Sequence, residues 1–359
     1  MMKKLAYFWG SCAALAGITA CSSEGGDLDV LVEAEDVITD GIQAGSETEN
    51  IRDGWNVEFD KYLVAIGKID IQLDGADVEA EDVYLVDLKQ VPQQGTMLWS
   101  LLDLDEGRWD FSYATTHEGM QQGENVADAD FEEVTENEWT YKIEGHINQE
   151  EGVSCPPTAL AEIPEGSVEV SVNDRGDSCY AAAEVSFSIG AQADTNFGPC
   201  EVDGLPGVVV TAGQASSTTL TIHGDHIFFN GFPAGSEGGV IRLAQWLADA
   251  DLNLDGKVDV EELKKIAPSD LLDPDVYNLG GSPITPLDNM FTYVQAQLKT
   301  QGHYQGEGEC PVDGVEHDHG HDDHDHDDHG DEDHDDHGDE DHDDHGDEDH
   351  DEHDHGDEE

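Results

Sequence analysis

Positive charge is scarce in this chain of 359 residues: 14 Lys and Arg stand against 84 Asp and Glu, for a formal charge of -70. Nucleic acid and anionic lipid headgroups are therefore poor partners, and bound cations are the natural means of screening such self-repulsion. Long apolar runs are equally rare. The one from Leu5 to Ala20 is too short for an ordinary membrane span and has the length of a signal-peptide core behind Lys3 and Lys4. No Cys-x-x-Cys spacing is present, which argues against a thiolate zinc cage. Catalytic patterns are missing too. His117-Glu118 is not followed by the second histidine of a metalloprotease helix, and neither a Gly-x-Ser-x-Gly elbow nor a phosphate loop occurs. With carboxylates everywhere, no acid/base pair stands out, and no enzymatic activity is expected.

Against these absences, one stretch has a spacing that fits a single chemistry. In Asp251-Leu-Asn253-Leu-Asp255-Gly256-Lys257-Val258-Asp259-Val-Glu-Glu262, oxygen side chains stand at positions 1, 3, 5 and 9. Gly256 occupies position 6, where the chain must turn sharply; Lys257 offers its carbonyl at position 7, and the Glu262 carboxylate closes at position 12. The run resembles an EF-hand loop throughout, which implies Ca2+ bound by Asp251, Asn253, Asp255, Lys257, Asp259 and Glu262. Ile241, Leu243, Ala244 and Leu247 recur at helical spacing before it, and Leu263 and Ile266 after it. No second loop accompanies it, since Asp273 to Gly281 lacks the ligand order. A lone loop in a calcium-rich compartment is expected to act as a fixed clamp and not as a switch.

Ile18-Thr19-Ala20-Cys21 resembles the lipobox of bacterial lipoproteins, with isoleucine where leucine is usual. The resemblance implies cleavage before Cys21, acylation of that cysteine, and a cell-envelope protein anchored to a membrane by lipid. Ser22 and the absence of aspartate next to Cys21 imply the outer membrane if the cell is Gram-negative. Cys155, Cys179, Cys200 and Cys310 then remain, and four thiols in an oxidising compartment favour two disulfides with three possible connectivities. Cys155 with Cys179 and Cys200 with Cys310 is the favoured pairing: the first pair flanks one expected hairpin, and the second would staple the end of the chain to its body.

Polar and apolar residues alternate from Gly54 to Leu73, and short β-rich segments follow at 83–88, 108–114, 140–145, 167–172, 183–189 and 218–222, separated by Gly, Asp and Asn turns. The expectation is a mainly β protein built on an antiparallel β-sandwich. After Phe229 the pattern turns helical, with helices expected at 238–250, 260–267 and 286–300. The organisation reads as a signal peptide (1–20), a tether (21–27), the sandwich (28–230), a helical section with the calcium loop (231–310) and a disordered acidic tail (311–359).

From His317 onward only His, Asp, Glu and Gly occur. His317, His319, His321, His324, His326, His329, His334, His337, His342, His345, His350, His353 and His355 are set among carboxylates, and the unit His-Asp-Asp-His-Gly-Asp-Glu-Asp starts at His326, His334 and His342. Imidazole suits zinc, copper and nickel, so the tail is expected to hold Zn2+ or a similar ion in weak, exchangeable sites. Its composition resembles the histidine-rich segments of extracytoplasmic zinc-handling proteins. Within the body, His223-Gly-Asp-His226 ends a strand and His303 precedes Glu307 and Cys310; if Cys310 is tied back, His223, His226, His303 and Glu307 could converge into a zinc-type site. His117 and His146 have no neighbours that give them a role. The chain thus reads first as an extracytoplasmic metal-binding lipoprotein. The alternative is a surface module whose sandwich binds a protein or glycan while the tail only carries charge.

Overall fold

The computed structural model describes residues 25–233 and 240–312. In chain order its strands are β1 (Gly26–Ala34), β2 (Asn56–Leu73), β3 (Ala76–Asp87), β4 (Thr96–Leu104), β5 (Gly107–Thr115) and β6 (Met120–Gln122). There follow β7 (Tyr141–Asn148), β8 (Val153–Ser154), β9 (Glu169–Val172), β10 (Ser178–Ala181), β11 (Glu184–Ala191) and β12 (Thr195–Phe197). The last six are β13 (Glu201–Val202), β14 (Leu205–Pro206), β15 (Val208–Val210), β16 (Ala215–Ile222), β17 (Lys257–Asp259) and β18 (Gly302–Tyr304). The helices are α1 (Asp36–Asp40), α2 (Asp128–Glu136), α3 (Gln245–Asp249), α4 (Val260–Leu263), α5 (Pro268–Leu271) and α6 (Met290–Leu298). The fold is mainly β, as the alternation predicts. None of the helices among the described residues is long and apolar enough to cross a membrane.

The long strand β2 organises the larger sheet. Its first half pairs with β7 and its second half with β5, while β3 covers it from Leu63 to Leu73. The register slips between Gly67 and Ile69, where Lys68 takes a positive φ of 50°. Such a bulge bends a strand and increases its twist, so the sheet curls where β2 changes partners. Gly67 is required there, because a Cβ would stand 2.2 Å from the Asp82 carbonyl oxygen. The buried side chains Val57, Phe59, Tyr62, Val64, Ile66, Ile69 and Ile71 of β2 share one core with Leu28, Val30 and Val32 of β1.

β1 belongs to a second sheet, ordered β18-β16-β1-β4. Most ladders are antiparallel, but β1 with β16, β11 with β17 and β3 with β6 run parallel. Parallel neighbours put both strand ends on the same side, and this arrangement positions the site described below.

The helical section is shorter and more broken than its periodicity suggests. Instead of a helix from 238, residues near Arg242 are extended: its backbone bridges Ile51 and Phe229, and its carbonyl accepts from Arg52 N–H, so only Gln245–Asp249 is helical in the described part of that span. The helix expected at 260–267 stops at Leu263, because Pro268 forces Ala267 into an extended conformation (ψ 145°) before α5 begins. Asn289, whose side chain accepts from Thr292 N–H at 2.9 Å, caps α6 and displaces the expected start at Pro286. Met290, Tyr293, Val294 and Leu298 of α6 enter the same core as the sheets.

Candidate metal centre

The disulfides are Cys155–Cys179 and Cys200–Cys310, the pairing the sequence favours. The second closes a loop of 110 residues and fixes the segment that follows β18. β18 in turn pairs antiparallel with β16, placing His303 opposite Thr221, while His223 N–H donates to the Gln301 carbonyl at 3.0 Å. His223 lies one residue beyond β16, and the 3-10 turn Gly224–Phe228 carries His226 back toward it. That turn packs closely on α1: a Cβ on Gly224 would stand 2.5 Å from Ile38 Cγ1.

His223, His226 and His303 therefore converge, each offering a donor atom within 4.8 Å of the others. The His223 and His303 rings stack with centroids 3.9 Å apart, and His226 stands nearly perpendicular to His303 at 5.3 Å. His223 and His226 are buried, whereas His303 retains partial exposure. Glu307, the expected carboxylate, is exposed and joins none of the metal-competent groups found among the described residues.

Two other acids take its place near His223. The parallel register sets Ala34 beside Ile222, so Glu35 and His223 leave the sheet side by side, and Glu35 Oε1 lies 3.8 Å from His223 Nδ1. Glu35, His223 and Asp225 form a second converging group. Burial and the neighbouring Asp225 push the Glu35 carboxyl up to about 9, against the opposing pull of Arg242. Asp225, 1% exposed, accepts from Arg242 Nε at 2.6 Å, and Arg242 also donates to the Thr48 carbonyl and to Glu49. Yet Glu35 Oε2, Asp225 Oδ1 and His303 Nδ1 are buried without any hydrogen-bond partner. Three orphaned ligand-type atoms in one neighbourhood are costly unless a cation meets them.

Hydrogen bonds decide which ring nitrogens are free. The Thr300 hydroxyl donates to the Gln297 carbonyl at 2.8 Å, so it can only accept from His226 Nδ1–H at 2.9 Å, leaving Nε2 with its lone pair. The Gly306 carbonyl can only accept, so His223 donates through Nε2 at 3.2 Å and keeps Nδ1 free on the Glu35 side. Burial, followed by the charge of neighbouring histidines, holds His226 and His303 well below the usual histidine range. Three clustered imidazoles, with the tautomers of His223 and His226 set by hydrogen bonds, and two nearby carboxylates fit zinc, copper or nickel.

The loop from Asp251 to Glu262 is ordered by its own hydrogen bonds. Asp251 accepts from Asp255 N–H and Gly256 N–H, Asn253 from Asp255 N–H, and Asp255 from Lys257 N–H. Glu262 reaches back across the loop to Leu252 N–H at 3.1 Å and Asp259 N–H at 3.3 Å. Gly256 takes the left-handed conformation (φ 77°) that the turn requires. Burial and the charge of Asp251 and Asp259 raise Glu262 to about 7. These oxygens are of the type Ca2+ takes, but they are held on the loop's own backbone N–H groups and join none of the metal-competent groups found among the described residues. Lys257–Asp259 pairs in parallel with Ser186–Ser188 of β11, which ties the loop to the body's sheet.

His117 pairs with Asp194 at 2.7 Å, and His146 lies between Glu58 and Asp60. Cys21 and the thirteen tail histidines lie outside the described residues. Comparison with protein-family models, curated proteins and solved structures finds no match.

Proposed function

We propose that this is an extracytoplasmic, lipid-anchored metal-binding protein whose folded body holds one zinc-type ion (zinc, copper or nickel) through His223, His226 and His303. Ca2+ in the loop 251–262 clamps the helical section, and the histidine-rich tail buffers further ions. The single observation that carries the reading is the buried three-histidine cluster beside orphaned Glu35 and Asp225 oxygens. Buried ligand-type atoms without hydrogen-bond partners are what a metal site presents before its ion arrives. The two disulfides support an oxidising compartment, and the lipobox-like Cys21 supports membrane anchoring.

The tail must be silenced to isolate the body's site. A full-length chain with all thirteen tail histidines changed to serine, saturated with calcium and dialysed against zinc, should retain one zinc per molecule by elemental analysis. His226→Ala or His303→Ala in that background should abolish it. Retention of the ion in both variants would overturn the assignment.

A further inference from the structure

A cleft lies where the sheet containing β1 meets the larger sheet. β4 ends the order β18-β16-β1-β4, and the Trp99 indole N–H holds it against β3 by donating to the Asp82 carbonyl at 3.1 Å. The cleft has a volume of about 520 Å³, within the range of pockets that hold small organic molecules. Tyr84, Val86, Pro92, Met97 and Leu98 supply its apolar lining, and the Tyr84 ring is braced by Trp99, with centroids 5.7 Å apart. None of the metal-cluster histidines lines it.

The amides that line the cleft are committed in one direction. Gln122 spends both Nε2–H groups on the protein, donating to the Val126 carbonyl and to the Asp128 carboxylate, each at 2.9 Å. Gln90 donates to the Asp87 carboxylate at 2.6 Å, and Asn125 to the Asp87 carbonyl at 2.8 Å. What these side chains have left in excess is oxygen, which only accepts. Glu124 adds a carboxylate, and among the described residues no Lys, Arg or His lines the cleft. Lys89, next to Gln90 in sequence, is turned to the Ile38 and Thr39 carbonyls. An anion would meet no positive charge here and would oppose the field of a chain of formal charge -70. A neutral polyol could use the oxygens but would gain nothing from Glu124 or from that field. A cation with N–H donors gains from all of them.

We propose that the cleft binds a small organic ammonium ion with an apolar body. Its N–H groups donate to the Glu124 carboxylate and to the side-chain oxygens of Gln90 and Gln122, while the body lies against Tyr84 and Leu98. The site goes beyond the metal-binding reading and stands or falls separately from it.

The test is isothermal titration of the full-length, calcium-loaded chain with tryptamine, in about 0.15 M salt to screen the acidic tail. One tryptamine should bind per molecule. Tryptophol, which carries a hydroxyl in place of the ammonium, should bind about tenfold or more weakly, the scale of lost hydrogen bonds to a charged group. Glu124→Gln should weaken tryptamine by a similar factor and leave tryptophol unchanged. Leu98→Trp, which adds bulk in the cleft, should abolish saturable binding; Met97→Trp, at a side chain 55% exposed, serves if Leu98→Trp fails to fold. Absence of saturable tryptamine binding overturns the inference. Equal affinity for tryptophol would assign the cleft to neutral ligands and also overturn it. Tryptamine binding unchanged in Glu124→Gln and in the filled variants would place the amine elsewhere, on the acidic tail included, and overturn the site.

Discussion

Thr300 is not one of the proposed ligands, yet its hydroxyl decides which nitrogen of His226 is free, because its own proton is committed to the Gln297 carbonyl. Thr300→Val keeps the shape and removes the acceptor. Loss of such a supporting hydrogen bond typically weakens metal binding about 10- to 100-fold. Competition of the tail-silenced variant against a zinc chelator should show that drop, with zinc stoichiometry still one; an unchanged affinity would mean that the tautomer is set elsewhere. Arg242 carries a different burden. It is the partner of Asp225, whose second oxygen is already orphaned, and it also holds Thr48 and Glu49. Arg242→Met leaves a buried carboxylate uncompensated, and breaking a buried pair in this way costs about 3–5 kcal/mol. Chemical denaturation without metal should show it, and a loss below about 1 kcal/mol, the scale of an exposed pair, would contradict the buried assignment.

The elements bring these residues together by pairing rules that differ in how readily they are seen. β2, β5, β7 and β11 alternate clearly, so the mainly β fold was legible, and Cys155, Cys179, Cys200 and Cys310 bond in the pairing their positions suggest. The parallel β1–β16 ladder was not, since alternation carries no information on direction. Glu35 was missed for that reason: it is one acid among 84, and only the parallel register brings it to His223. Asp225 could have been found, because it stands between His223 and His226 in the one motif already singled out. The helix ends fell short where Arg242 is drawn into bridges and where Pro268 stops the chain, both tertiary or steric effects that outrank periodicity. The disulfide that fixes β18 gives a test at this scale. In the chain-entropy model, opening a loop of about 100 residues costs about 4.7 kcal/mol. Cys200→Ala with Cys310→Ala should therefore lower stability by several kcal/mol and weaken zinc binding, because His303 lies on β18. Unchanged zinc affinity would show that the β16–β18 ladder alone holds the cluster. The calcium loop is tested by Glu262→Gln, which should lower the melting temperature in calcium and leave it unchanged in chelator; equal shifts in both would count against the clamp.

For the molecule as a whole, the proposed function divides metal binding between two kinds of donor set. The body fixes a few donors by burial and hydrogen bonds, while the sequence from His317 repeats donors without apolar residues to pack them. Sites assembled from such a segment must close a loop each time they bind, so they should be weaker than a prebuilt centre and exchange faster. They should also lose zinc first on acidification, because an imidazole with an ordinary pKa of about 6.5 gains a proton there and a protonated ring cannot ligate. Removal of residues 317–359 is therefore expected to reduce zinc from several ions per molecule to one while leaving the melting temperature of the calcium-loaded body unchanged. Isothermal titration at neutral pH should resolve the two classes in the intact chain and retain only the tighter one after truncation. Equal stoichiometry before and after truncation would remove the tail from the function, leaving metal binding to the body alone and the tail as a carrier of charge.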